Sequence, residues 1–297
     1  MCGIVGLFLK DAALEPQLGS MMSRMLVSMS ERGPDSAGFA IYGSETLGLL
    51  KFTVRTRSGF DLSPLLSDLA GVAGAPIKVE YRDSHAVLMI PARFEDAVRK
   101  EIRKFSEVSI VGSGQRMEIY KEVGCPENVV RRFDLGSMTG THGIAHTRMA
   151  TESAVTTDGA HPFTTGPDQC LVHNGSLSNH NAMRRELISH GLTFETENDS
   201  EVAAGFMTWK IREGASLKQA MEASLLALDG FYTFVMGTES GFGVLRDPIA
   251  CKPAVMAETD RWVAFGTEYR ALVDLPGIEN AHVWEPEPAK AYFWERH

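Results

Sequence analysis

The sequence predicts a layered α+β fold. Strand signals open the chain, three helical patterns occupy its second half and four strand signals in succession follow them, an order that favours stacked layers over a parallel doubly wound sheet. Residues 2–9, 39–42 and 47–52 are short apolar or alternating runs and read as strands. Between the first two, Leu18, Met22, Met25, Leu26 and Met29 recur at helical spacing, so an amphipathic helix ends near Gly33-Pro34 with its methionines packed in the core. From about residue 67 to 132 the texture changes. Residues 77–81 and 86–90 read as strands, 93–105 as a helix with Phe94, Val98, Ile102 and Phe105 on one face, and 108–111 and 115–120 as two more strands. This spacing predicts a small inserted ββαββ subdomain over 67–132, in which Gly112-Ser113-Gly114 is a hairpin turn rather than a phosphate cradle. After Gly136 come strands at 143–146 and 170–173, helices at 181–189, 200–212 and 217–228, and strands at 231–237, 242–247, 254–257 and 262–267. Pro276, Pro286 and Pro288 mark 273–297 as an irregular tail.

With 297 residues, 44% of them hydrophobic and 23% charged, the composition is that of an ordinary globular protein, which excludes a disordered or fibrous chain. The longest apolar runs, such as 86–90, are far too short to cross a bilayer, so no membrane span is expected. Asp11 and Glu15 follow the first apolar stretch and no basic segment precedes it, which argues against a secretory signal. Twenty-nine basic against thirty-eight acidic residues give a formal charge of −9. With no basic cluster to neutralise a row of phosphates, nucleic acid is a poor partner, and a small molecule or another protein is expected. Cys2, Cys125, Cys170 and Cys251 are widely spaced, with neither a disulfide framework nor a zinc spacing, and read as reduced thiols of a cytoplasmic protein.

Cys2 directly follows Met1 and precedes Gly3. Its small size permits removal of Met1, after which one residue carries both a thiol and a free α-amine, a nucleophile with its own base. A free cysteine titrates at about 8.5 and an α-amine at about 7.7–8.0, so near neutral pH part of the amine can take the thiol proton, directly or through one water. Taken alone, such a cysteine is as readily a small buried hydrophobe.

Further along stand Arg32-Gly33-Pro34-Asp35-Ser36 with Gly38, His146-Thr147-Arg148, His161-Pro162, His173-Asn174-Gly175 and Asp199-Ser200-Glu201. In that order, with Met1-Cys2-Gly3-Ile4-Val5-Gly6, they resemble the class II glutamine amidotransferases, N-terminal-nucleophile hydrolases that include amidophosphoribosyltransferase and glucosamine-6-phosphate synthase. The resemblance extends over residues 2–50 and about 137–272, and the insertion has no counterpart in those two enzymes. It implies a four-layer αββα sandwich over 2–272, interrupted by the 67–132 insertion, with 273–297 as a tail. The implied reaction is attack of Cys2 on the side-chain amide carbon of L-glutamine, giving a γ-glutamyl thioester and ammonia, after which water releases glutamate.

The resemblance assigns the oxyanion to the Asn174 side chain and the Gly175 backbone amide, although Asn174-Gly175 by itself reads as a turn dipeptide. Arg148, with its planar fork, suits the glutamine carboxylate, and Asp199 suits the ammonium while also reading as a helix cap. Arg32 and Asp35 would support the nucleophile and its neighbouring loop, and His146, Thr147 and His161 would shape the pocket. Together with His142 and His173, the histidines invite a cysteine–histidine dyad or a metal site. No metal-ligand spacing is clean, and an N-terminal amine makes an imidazole base unnecessary, so no metal is expected.

One departure is visible: Met149 stands where the sugar-phosphate synthase has tryptophan, which bears on gating of the glutamine site or on ammonia transfer. Family members usually carry a second domain that uses the ammonia, and residues 273–297 cannot form one, so the ammonia is expected to pass to another polypeptide or be lost. A chain with an insertion before the His-Thr-Arg motif resembles the amidotransferase subunits of split glutamate synthases and of N-methylglutamate synthase, whose flavin and iron–sulfur chemistry lies on separate subunits. This implies no cofactor in the chain itself, L-glutamine as substrate and synthase subunits as partners, while the 67–132 insertion reads either as their docking surface or as a folded decoration with no partner. Two other classes stay open at this level. A subunit that senses glutamine without turnover is opposed by Cys2, Asn174 and Gly175, and an amidase of the same nucleophile class acting on penicillin or bile-salt amides is opposed by Arg148 and Asp199.

Overall fold

A computed structural model describes residues 2–150 and 155–296. The first strand, β1 (Gly3–Leu9), is buried along its whole length, which is why its apolar run is continuous rather than alternating. Along the chain follow α1 (Leu18–Val27), β2 (Ser36–Tyr42), β3 (Leu49–Thr56), α2 (Ser63–Ala73), β4 (Lys78–Arg82), β5 (His85–Pro91) and α3 (Glu95–Ile102). Next come β6 (Val108–Gly114), β7 (Met117–Val123), α4 (Pro126–Arg132), β8 (His142–Arg148), β9 (Phe163–Gly166) and β10 (Gln169–Leu177). The helices α5 (His180–Ser189), α6 (Asp199–Arg212) and α7 (Leu217–Ala227) then lead to β11 (Gly230–Gly237), β12 (Gly241–Arg246), β13 (Val255–Glu258), β14 (Trp262–Gly266), β15 (His282–Trp284) and β16 (Ala291–Glu295).

Two antiparallel sheets form the centre: seven strands in the order β15-β13-β14-β1-β8-β2-β7, and five in the order β16-β12-β11-β10-β9. Alternation along β1 assigns its two faces. Val5, Leu7 and Leu9 pack on Met21, Met22, Met25 and Leu26 of α1, whereas Ile4 and Phe8 meet Val172, Val235 and Phe242 of the second sheet. A Cβ at Gly6 would stand 2.4 Å from the Phe242 ring, so the sheets close over a position that only glycine fits. On its far side the five-stranded sheet buries Leu171, Tyr232 and Phe234 against Val202, Phe206 and Met221 of the α5–α7 layer. The result is the αββα sandwich.

Three expectations are corrected. The inserted unit is not the ββαββ block of 67–132: its sheet runs β4-β5-β3-β6, so it begins at Leu49 and ends at Gly114. It has a core of its own, in which Leu50, Phe52 and Val54 pack with Leu65 and Leu69 of α2 and Val98 and Ile102 of α3. The strand β7 instead pairs with β2 at the edge of the seven-stranded sheet, burying Ile119 and Tyr120 on opposite faces of it. Gly112-Ser113-Gly114 is strand rather than turn. The chain reverses at Gln115-Arg116, where the Asp168 carboxylate accepts the N–H groups of Gln115, Arg116 and Met117 at 2.6, 2.9 and 2.9 Å. Nor is 273–297 an irregular tail, since β15 pairs with β13 and β16 with β12, adding one edge strand to each sheet.

Candidate active site

Residue 2 is placed by pairing on both flanks of β1. The register with β8 sets Gly3 against Thr147, and Gly3 N donates to Thr147 Oγ1 at 3.2 Å. On the other flank Thr267, just beyond β14, accepts Ile4 N through Oγ1 at 2.8 Å and returns its own N–H to the Ile4 carbonyl at 2.9 Å. The half-buried Cys2 is therefore held at the end of a fixed strand, its carbonyl accepting Arg32 Nε at 3.1 Å and Asn174 Nδ2 at 3.0 Å. Its thiol points to the Met149 carbonyl, 3.9 Å away. The Arg32 guanidinium, nearly buried, is neutralised by an ion pair with Glu268, which leaves Nε aimed at Cys2.

Alternation along β10 sends Asn174 to the same side as Cys170 and Val172, between the sheets, and His173 and Gly175 to the side of Leu171 and Leu177, facing the helices. Gly175 has φ of +149°, and a Cβ there would stand 2.0 Å from the Phe231 carbonyl, so a side chain is excluded both by backbone and by space. Arg148 is buried at the end of β8, paired by register with Ser36. The turn before β2 frames it: Pro34 bridges to Arg148, Asp35 N donates to the Arg148 carbonyl at 3.1 Å, and the Asp35 carboxylate accepts Ala150 N at 2.8 Å.

Asp199 opens α6, and its Oδ2 accepts Leu177 N at 2.9 Å, tying the helix start to the end of β10. The expected helix cap is not Asp199 but Asn198, whose side chain accepts Ser200 N at 2.9 Å.

His146, His161 and His173 gather behind these residues. The His146 and His161 rings stack at 4.0 Å, and His146 Nε2 lies 3.1 Å from the His173 carbonyl. A carbonyl only accepts, so that nitrogen carries the proton. Burial first, then His173 and Arg148, brings His146 down to about 3. Burial, with His146 and His173 alongside, drives His161 well below its usual range, and burial lowers His173 against the pull of Asp199. All three are neutral imidazoles near pH 7. Among the described residues no histidine ring bonds the Cys2 thiol, and no three His, Cys, Asp or Glu side chains are grouped to hold a metal ion. His142 lies apart, stacked on Tyr42 at 4.1 Å with Nε2 2.9 Å from the Thr238 carbonyl.

Thr267 and Glu268 have no signal in the sequence. They reach the site only because β14 pairs with β1. A cleft of about 360 Å³ lies at the seam between the inserted unit and the sandwich, walled by Arg99, Lys121, Asp158 and Phe163, and Cys2 is not part of its lining. Met1 lies outside the described residues.

A family model described as "Glutamine amidotransferase domain" matches residues 146–274. The "Glutamine amidotransferase-like protein GlxB" of Rhizobium meliloti is 63% identical over 99% of this chain and 98% of its own length. A "Putative glutamine amidotransferase" of Methanothermobacter thermautotrophicus is 33% identical over 98% of this chain and 99% of its own length. Among solved structures, the glutamine phosphoribosylpyrophosphate amidotransferase of B. subtilis superposes with a TM-score of 0.62 at 19% identity, covering 99% of this chain and 47% of that one, a likeness of fold.

Proposed function

The chain belongs to the class II glutamine amidotransferase family and is an enzyme of that class, and from this premise we propose that it hydrolyses L-glutamine to glutamate and ammonia as the glutaminase subunit of a larger synthase, glutamate-synthase-like or N-methylglutamate-forming. Loss of Met1 leaves Cys2 with a thiol and an α-amine on one residue. The amine takes the thiol proton, the sulfur attacks the amide carbon, ammonia departs, and water cleaves the γ-glutamyl thioester. The observation that carries this reading is the meeting of Asn174 with Cys2, a side-chain amide donor held 3.0 Å from the nucleophile's own carbonyl. A donor fixed there, on the middle of a paired strand, supports an oxyanion role for Asn174 with Gly175 N–H beside it. Arg148 takes the substrate carboxylate and Asp199 its ammonium, while Arg32, Asp35, Thr147 and the neutral His146 and His161 keep the frame. The ammonia is used on separate subunits, which supply any flavin or iron–sulfur chemistry, and the inserted unit is the surface to which they dock.

Intact mass spectrometry after treatment with diazo-oxo-norleucine tests the reading. The expected product lacks Met1 and carries one adduct on Cys2, and the untreated protein releases glutamate from glutamine. A chain that retains Met1 and stays unmodified overturns it.

A further inference from the structure

We propose that the Ser200 hydroxyl is a positioning group for the amino-acid end of the substrate: its single proton is committed to Asp199, and its lone pairs accept His161 and His173, the second of which ties Asp199 to the strand that carries Asn174. This rests on the glutaminase reading above. Ser200 Oγ is buried and lies 2.8 Å from His161 Nε2, 2.9 Å from His173 Nδ1 and 3.4 Å from Asp199 Oδ1. Three groups thus converge on one oxygen that has one hydrogen to give.

Counting protons leaves one arrangement. His161 Nδ1 and His173 Nε2 are both buried with no hydrogen-bond partner among the described residues. Were Ser200 to donate to either ring, that imidazole would have to carry its own proton on the unpartnered nitrogen, burying an N–H with nothing to receive it. A bare ring nitrogen is the smaller penalty, because orphaned buried N–H groups are rarer than under-satisfied acceptors and the alternative also takes the Ser200 proton from Asp199. Hence His161 donates from Nε2 and His173 from Nδ1, both into Ser200 Oγ, and the hydroxyl turns its proton to Asp199 Oδ1. The same rule holds next door, where His146 keeps its proton on Nε2 against the His173 carbonyl.

The consequence is mechanical. Asp199 is oriented by two donors, Leu177 N on Oδ2 and Ser200 on Oδ1. His173, bonded through its ring to Ser200 and through its carbonyl to His146, fixes the backbone immediately before Asn174. One hydroxyl therefore sets the ammonium-binding carboxylate relative to the oxyanion donor.

Two measurements test this. Long-range proton–nitrogen NMR on protein labelled with ¹⁵N-histidine reads the tautomers without reference to activity. The expected spectrum has His173 protonated on Nδ1 and His146 and His161 on Nε2, and His173 protonated on Nε2 overturns the assignment. Kinetics then compare Ser200→Ala with wild type on L-glutamine and on glutaramate, which keeps the amide and carboxylate but lacks the ammonium. The expected result is a rise of about tenfold in KM for glutamine, a kcat within about threefold, and no change in the relative rate on glutaramate. An equal loss on both substrates, or no loss on glutamine, refutes the positioning role. Should Ser200→Ala not fold, Ser200→Cys, a weaker donor of similar size, is read against the same outcomes. A wild-type protein that releases no glutamate at all refutes the glutaminase reading and the positioning role with it, and leaves the tautomer assignment to the spectrum.

Discussion

Cys2 and Asn174, 172 positions apart in the chain, are joined across the two sheets by one hydrogen bond, from the Asn174 side-chain amide to the Cys2 carbonyl. The bond falls on the main chain of Cys2, so truncating Asn174 leaves the thiol in place while removing the donor beside it. Asn174→Ala is expected to lower kcat for glutamate release by about 100- to 1,000-fold, with KM within about threefold. A loss confined to KM would assign Asn174 to ground-state binding alone.

Arg32 joins Glu268 to the Cys2 carbonyl with one planar group. Arg32→Met removes both bonds, leaving Glu268 its ion pair with Arg270 and the Cys2 carbonyl only Asn174, and urea denaturation is expected to report a loss of about 1–3 kcal/mol. Arg32→Lys recovers little of it, because a point ammonium cannot serve both acceptors in the guanidinium's geometry. Full stability of Arg32→Met would remove Arg32 from the support of residue 2.

His85, His142 and His146 are each brought down to about 3, chiefly by burial. In the unfolded chain a histidine titrates at about 6.5, so between there and about 3 the unfolded state binds more protons than the folded one. Stability from these groups is complete above about pH 6.5 and is lost as the pH falls through that window. Urea midpoints are expected to decline steadily from about pH 7 to 4. His85 packs edge-on against Phe133 with ring centroids 4.8 Å apart, and His85→Leu should flatten the decline by up to about 1.4 kcal/mol per pH unit. An unaltered slope would mean that His85 is not buried neutral.

Removing residues 285–297 takes away β16, the edge partner of β12. It also removes Trp294, whose Nε1 donates to Glu258 on β13 at 3.2 Å, and the Pro286 carbonyl that accepts the buried Arg246 guanidinium at 3.1 Å. The truncated protein is expected to melt at lower temperature and to show concentration-dependent light scattering, because β12 becomes an open edge. A Tm equal to that of the full chain would make the segment dispensable.

The sequence alone determined what local burial pattern can determine. The spacing of Leu18, Met22, Met25 and Leu26 specifies α1, the periods of 181–228 specify α5 to α7, and the alternation of 231–267 specifies β11 to β14, because each depends on residues within a few turns or one strand. The identity and order of Cys2, Arg148, Asn174, Gly175 and Asp199 likewise pointed to the family. Tertiary structure decided what needs a distant partner. Val108–Gly114 and Met117–Val123 read alike as strands, yet one joins β3 and the other β2, since the choice rests on which face finds Phe52 and which finds Phe39. The proline-rich end became two edge strands because β12 and β13 had unpaired backbone to offer it. Thr267 and Glu268 reached Cys2 through strand pairing, and Ser200, an ordinary first-turn residue by pattern, became the meeting point of two histidines and a carboxylate. Pairing and convergence of this kind are settled by contacts between residues that are far apart in the chain, and a local pattern holds no record of them.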